Sequence, residues 1–366
     1  MLFYLTNQLL VTEGTAEYAD MVSAICNIAV SVYEHKHELR GDYDILKKMS
    51  SCNALDLRSR NVIYQVYCNY ETMPIPREIS YYVEVVYKVN NRKRIKGQYV
   101  VTQIEYKELL DSKSTQATCL IGEFYYDCDF YHYVLNWYKK KQHFDKVGTT
   151  FEDISGNGVS TIDHLRQYLI RDKRPTICIV DTDKKYPSQP IQNNSTCGKC
   201  MKKYVDNVIY RFIHLNVQEV ENLIPLDVVD ALKWSGAGAA FKKAFDTLRE
   251  HNNSEELLAY FDLKNGIKKD DLFLNAPEYR AFAEACCSCD PSNPAYGSFS
   301  TYSNALPFKG VIFPMLSNNL LRDANDFLRN NADFPFALQK FQKKEWIKIA
   351  RSMLNWGICR NREGLN

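Results

Sequence analysis

No stretch of this 366-residue chain approaches the ~20 consecutive apolar residues of a membrane-spanning helix, so no membrane association through a helical span is expected. The opening MLFYLTNQLLVTEG has neither a basic leader nor a small-residue cleavage site, so no signal peptide is expected and the location reads as cytoplasmic. In that compartment the 12 cysteines are reduced thiols or metal ligands rather than disulfides. Charge of one sign is also lacking: 46 Lys and Arg face 44 Asp and Glu, for a net charge of +2. The whole molecule therefore does not advertise a polyanionic partner, and any nucleic-acid surface must be local. There is no repeat at solenoid period and no long low-complexity tract. P-loop, dinucleotide fingerprint and nucleophilic serine elbow are all missing, so an ATPase working with this protein would be a separate chain.

Hydrophobic residues make up 45% and charged residues 25%, an ordinary balance for a folded protein, and the length allows two or three domains. AEYADMVSAICNIAVSVYEH (16–35) has a helical pattern. ISYYVEVVYKV (79–89) and QYVVTQIEY (98–106) are rich in Val, Ile and Tyr and flank NNRKRIKG (90–97). That reads as a hairpin over 79–107 with a basic, glycine-ended loop. Residues 1–112 are thus expected to form an N-terminal α+β domain, with DSKSTQ (111–116) as linker.

From 117 to 225 the rhythm alternates. ATCLIG (117–122), TTFEDIS (149–155), TICIVDTD (176–183) and NVIYRFIHL (207–215) read as strands. DFYHYVLNWYKKK (129–141) and STIDHLRQYLIR (160–171) read as helices, the second after a GNG turn at 156–158. The alternation predicts an α/β fold with a parallel, doubly wound sheet, whose functional groups gather at the strands' carboxyl ends. Residues 226–366 form a mostly helical C-terminal region, with a long irregular loop at 289–307.

The strand ends carry acids. Glu123 follows the first strand, Asp181 and Asp183 the third, and Glu219 and Glu221 the fourth. Crowded carboxylates repel unless a cation lies between them, and an all-oxygen cluster suits Mg²⁺ or Mn²⁺. Such ions polarise phosphates and activate water. Taken singly, these acids are equally at home capping helices or facing solvent.

In order, the glutamate, glycine-rich turn, DxD and EVENLIP resemble the Toprim domain, and within it the OLD-type and related prokaryotic antiphage-defence nucleases, over about residues 117–225. EFYYDCDFY places Glu123 and Asp127 at the family's first acidic positions, with Phe124 where the family has glycine. The DxD falls on Asp181 and Asp183, and the late E-N segment on Glu221 and Asn222, with Glu219 nearby. The resemblance implies phosphodiester cleavage, Glu123 as metal ligand or general acid/base, and Asp181 and Asp183 as metal ligands. It also implies a catalytic lysine from a C-terminal segment, for which Lys264 and Lys268 are candidates. A prokaryotic setting and a partner ATPase or reverse transcriptase follow from the resemblance alone. Glu13–Gly14 matches the E-G pattern more literally, but it lies 168 residues before Asp181, whereas Glu123 lies 58 before it, about right for β-α-β-α-β. A helix-dipole acid is the plainer reading of Glu13.

Cys197 and Cys200 in CGKC, with Cys287 and Cys289 in CCSC, raise a structural Zn²⁺ site, against buried reduced thiols. His132, His143, His164 and His214 are scattered and read as packing or surface residues. Basic clusters at 90–97, 138–146, 171–175 and 199–204 lie among tyrosines, of which there are 25. Arg92–Lys96 is the expected phosphate contact. The combined expectation is a Mg²⁺- or Mn²⁺-dependent nuclease acting on DNA or RNA, with homo-oligomerisation through the C-terminal helices open. The alternative is an inactive Toprim-like nucleic-acid-binding or scaffold subunit.

Overall fold

Short runs of Val, Ile, Leu and Tyr build two sheets, each dominated by parallel pairing. The computed structural model describes residues 1–203, 207–234, 237–250, 254–274, 277–289, 293–295, 297–307 and 309–361. Tyr204 of the basic cluster at 199–204, and residues 290–292 and 296 of the loop at 289–307, lie outside them.

The first sheet comprises β1 (Leu2–Leu5), β2 (Glu38–Gly41), β3 (Tyr81–Val86), β4 (Lys93–Lys96) and β5 (Tyr99–Glu105), in the order β2-β1-β3-β5-β4. Helix Ala16–Tyr33 begins at Thr15, whose hydroxyl accepts the Tyr18 N–H at 3.1 Å. It buries Ile25, Ile28, Ala29 and Val32 in the core that Phe3, Leu5, Val83 and Val85 share.

The expected hairpin over 79–107 takes a different form. β3 and β5 run parallel, and the antiparallel pair is β4–β5, turned at Gly97 and Gln98. β5 is inserted between β3 and β4. Burial explains the order. β3 and much of β5 are buried and need a neighbour on each side, whereas Lys93–Lys96 is exposed throughout and blunts the edge. One residue of β4 turns inward: Arg94 Nη2 donates to both oxygens of Glu84, at 2.9 and 2.6 Å. Gln103 Nε2 adds a third bond at 3.1 Å, so the buried Glu84 carboxylate is compensated.

The second sheet holds β6 (Thr118–Gly122), β8 (Phe151–Ser155), β9 (Thr176–Val180) and β10 (Tyr210–His214), in the order β10-β9-β6-β8; the two-residue β7 is Gly148–Thr149. β6 pairs in parallel with β8 and β9, as its alternation with helices predicts. Helix Tyr125–Gln142 packs Phe130, Tyr131, Val134 and Leu135 into the core. The next helix is α-helical over Thr161–Leu165 and π-helical over Arg166–Arg171. The GNG turn closes onto the end of β6: Gly156 N donates to Gly122 O and Asn157 N to Glu123 O, both at 2.8 Å. A Cβ at Gly156 would lie 2.2 Å from Thr161 Oγ1 and 2.9 Å from Gly122 O, so only glycine fits.

The chain divides into two units, one of Met1–Ile179, Cys200–Ile213 and Lys348–Asn366, the other of Val180–Lys199 and His214–Ile347. The expected linker at 111–116 lies inside the first. There Asn355 Oδ1 accepts the Ser80 and Tyr81 N–H groups at 2.7 and 3.0 Å, and Thr118 Oγ1 donates to Trp356 O at 2.6 Å. The second unit is mostly helical, with helices Ala237–Arg249, Ser254–Tyr260, Pro277–Cys287 and Leu320–Asn330. It also contains an antiparallel pair, β11 (Ile267–Lys268) with β12 (Val311–Phe313). The segment expected as an irregular loop at 289–307 contains a helix, Phe299–Ala305. Helix Lys340–Gly357 leads to β13 (Ile358–Cys359), which pairs with β7. Among the described residues no helix is long and apolar enough to cross a membrane.

Removing Arg94 leaves the buried Glu84 with only the exposed Lys96, at 3.9 Å, as its cation. Arg94→Met is expected to cost about 2–3 kcal/mol, somewhat below the cost of breaking a fully buried pair. Adding Glu84→Gln should restore part of the loss, read as a shift in urea midpoint at constant slope.

Candidate active site: carboxylates around Lys264

Within the second unit, backbone hydrogen bonds draw three distant segments together. Thr182 Oγ1 donates to Val217 O at 2.6 Å, and Asp183 N to Gln218 O at 3.1 Å. Gln218 N in turn donates to Ala259 O at 2.9 Å. This lacing aligns Asp181 and Asp183, Glu219 and Glu221, and the turn after residue 260. Asp183 takes a left-handed conformation, φ +54°, which aspartate tolerates better than most residues.

The EVENL segment is a buried 3₁₀ turn, Val220–Leu223. Asn222 fixes it: its Oδ1 accepts the Glu219 N–H at 3.0 Å, and its Nδ2 donates to Leu258 O and Phe261 O at 2.8 and 2.9 Å. Gln342 Nε2 donates to Asn222 O and Ile224 O, and Trp346 Nε1 to Leu223 O. The asparagine of the E-N pair is thus a positioning residue that aims two glutamates.

Lys264 stands between those glutamates. Its Nζ lies 3.2 Å from Glu219 Oε2 and 3.3 Å from Glu221 Oε1. Asp262 builds the turn that presents it, its Oδ1 accepting the Lys264 and Asn265 N–H groups at 3.1 and 2.6 Å. At Gly266, φ +67°, a Cβ would lie 2.3 Å from Phe313 O. Burial alone would lower the Lys264 pKa; Glu221, Glu219 and Asp181 outweigh it and hold the ammonium charged. Burial pushes the Glu219 carboxyl up to about 8, opposed by Lys264 and reinforced by Glu221 and Asp262. The Asp183 carboxyl is raised by burial, with Lys264 opposing and Asp262 reinforcing. Lys185, from the same loop, is engaged by Asp271.

Carboxylate oxygens are the donor type that a hard divalent ion takes. The groups that hold Lys264 charged are the carboxylates Glu219, Glu221 and Asp181, and Glu221 Oε2 is buried without a hydrogen-bond partner. The compensating cation in this arrangement is the lysine. Among the described residues, no three or more His, Cys, Asp or Glu side chains form a group that could hold a metal ion.

The other expected residues are placed as follows. Glu123 is half-buried just after β6, in the first unit. Phe124 is extended, φ −130°, so the position needs no glycine, and its N–H is accepted by Asp127 Oδ2 at 2.9 Å. Asp127 thereby caps the helix it opens. Glu13 is exposed beside Lys48, at 3.4 Å. Lys268 lies in β11 opposite Val311. The Cys200 thiol shares a hydrogen bond with Cys178, which holds the Cys178 pKa up. Cys197 and Cys287 are buried, and Cys289 Sγ donates to Ala285 O at 3.1 Å. His132 Nε2 sits 2.9 Å from Asp153 Oδ1. Asp262 is the site residue that sequence reasoning missed; its signal was the D-x-x-N-G turn around Lys264.

Two outcomes test this electrostatic frame. Lys264→Ala strands two largely buried glutamates and should cost about 2 kcal/mol at pH 7, less than a fully buried pair because the lysine is partly exposed. Between the ordinary glutamate value of 4.5 and about 8, the folded state keeps a Glu219 proton that the unfolded chain has released. Stability contributed by that proton is present below this window and lost as pH rises through it. In EDTA, thermal midpoints should therefore fall across the window, and Glu219→Gln should flatten the fall.

Compared with known proteins, the chain matches no protein-family model, no curated protein and no solved structure.

Proposed function

We propose that the chain is a metal-dependent nuclease that hydrolyses phosphodiester bonds in DNA or RNA at the carboxylate cluster around Lys264. The observation that carries this reading is the crowding of acids around Lys264: Glu219 and Glu221 pair with it, Asp181 and Asp183 act on it or feel it, Asp262 adds further negative charge, and Lys185 is a second cation felt by Asp183. Such a cluster favours taking up a proton or a further cation. Asp181, Asp183 and Glu221 do not form a metal-holding group as they stand; were they to close around a divalent ion, it would supply Lewis-acid polarisation of a phosphate oxygen. With a phosphate bound beside it, the Lys264 ammonium would offset negative charge developing on phosphorus-bound oxygens. Glu219, with a pKa raised towards neutrality, suits a group that holds and releases a proton during the reaction. Glu123 enters the reading through the resemblance and its strand-end position. Antiphage defence, with a partner ATPase or reverse transcriptase, rests on the resemblance alone.

A second reading, an inactive nucleic-acid-binding or scaffold subunit, is favoured by one observation: the Lys264 ammonium already stands between Glu219 and Glu221, where a metal would otherwise be needed to separate them.

The test is incubation of the purified chain with plasmid DNA, single-stranded DNA and total RNA in Mn²⁺, Mg²⁺ or EDTA. Metal-dependent cleavage is expected, abolished in Asp181→Ala/Asp183→Ala and reduced about 10²-fold or more in Lys264→Ala. Absence of both cleavage and calorimetric metal uptake leaves the scaffold reading. Uptake without cleavage places the requirement on a partner protein.

A further inference from the structure

The first unit contains a groove of about 810 Å³ whose wall includes Arg92, Lys93, Arg211, Lys348 and Arg351. Among the described residues, no aspartate or glutamate lines it. In a chain with nearly equal numbers of acids and bases, a lining with several cations and, among the described residues, no acid is a marked local excess.

Three separate segments supply them. Arg92 and Lys93 come from the entry to β4, Arg211 from β10, and Lys348 and Arg351 from one helix face. On that helix Lys348, Arg351, Ser352 and Asn355 follow the i, i+3, i+4, i+7 spacing of a single stripe. The hairpin divides its charges. Arg94 and Lys96 turn to Glu84, at 2.6 and 3.9 Å, while Arg92 and Lys93 face the groove. Arg351 Nε donates to the Tyr138 hydroxyl at 3.2 Å, a neutral partner that leaves its charge uncompensated.

The wall is rigid. Asn355 clamps the helix to Ser80 and Tyr81, and the Trp356 ring stacks on Tyr81 with centroids 5.2 Å apart and planes 9° apart. A preformed site loses little freedom on binding. Converging cations repel one another, and an anion bearing several charges relieves that repulsion. Phe212, half-buried on the wall, adds an apolar face. Multiple cations, an aromatic face and a volume within the usual ~300–1,000 Å³ of ligand sites match nucleotide units carrying phosphates.

We propose that this groove binds phosphate-bearing nucleotide units, either as a segment of a single strand or as a free nucleoside triphosphate. The proposal does not depend on the carboxylate cluster and stands whether or not that cluster cleaves anything.

The test uses the full chain in EDTA, with fluorescein-labelled 12-nucleotide DNA and RNA strands read by anisotropy and a nucleoside triphosphate titrated by calorimetry. Arg92→Glu/Arg211→Glu is expected to weaken whichever probe binds by about tenfold or more. For a strand, the salt dependence should become shallower by roughly 1.4 log units per log unit, two phosphate contacts at about 0.7 each. Arg322→Glu/Arg329→Glu, with the same charge change on a helix of the second unit, should leave the affinity within about twofold. Binding is read in EDTA, independently of cleavage, which separates failure here from failure of the nuclease reading. Strand binding that the triphosphate does not displace assigns the strand segment, and displacement assigns a mononucleotide subsite. Absence of binding to any probe would overturn the proposal. So would equal affinity in the groove variant, or equal weakening in the control pair. Urea midpoints of both double variants establish that they are folded.

Discussion

One ammonium group organises the second unit's acidic centre. Lys264 lies 3.2 and 3.3 Å from two glutamates that the chain would otherwise hold buried against each other. Their placement is set largely by polar side chains that serve backbone groups. Asn222 spends both ends of its amide on backbone groups, Gln342 and Trp346 hold the same turn from a distant helix, and Asp262 shapes the loop that presents the lysine. Each is a satisfied buried polar group, and together they make the charge geometry specific. With the lysine in place the cluster remains acid-rich, which is why burial drives Glu219 towards its protonated form.

The molecule's near-zero net charge conceals two opposed local fields. Acids crowd around Lys264 in the second unit, and cations line a carboxylate-free groove among the described residues of the first. Net charge speaks to solubility and encounter, whereas chemistry and recognition depend on how the charges are sorted. The basic hairpin shows the sorting within a few residues. Arg94 is consumed by a buried structural carboxylate, and its neighbours Arg92 and Lys93 are left for the groove.

What was legible in the sequence was local. The strands at 117–122, 149–155, 176–183 and 207–215 announced themselves as β-branched runs bounded by turn residues, and the acids at their ends were visible as soon as the strands were placed. Lys264 was visible as a cation in the right region. Pairing partners were not legible. Residues 79–107 read as a simple hairpin because turn chemistry is local, while insertion of β5 between β3 and β4 is decided by burial on both sides. Asp262 was missed because its oxygen serves backbone N–H groups, a role that composition does not show. The groove was invisible for a related reason: its charges come from segments more than a hundred residues apart, and only the fold sums them.

Asn355 carries a consequence for how the chain is made. Its amide satisfies the N–H groups of Ser80 and Tyr81, 275 and 274 residues upstream, and the neighbouring Trp356 carbonyl satisfies Thr118. The entry to β3 and the start of β6 therefore stay open while the chain emerges from the ribosome, until the helix ending at Gly357 is synthesised. The first unit is closed only after residues 214–347 of the second have been made. Nascent chains halted before residue 355 would expose the β3 entry to chaperones and proteases, whereas the lacing around Lys264 would already be complete.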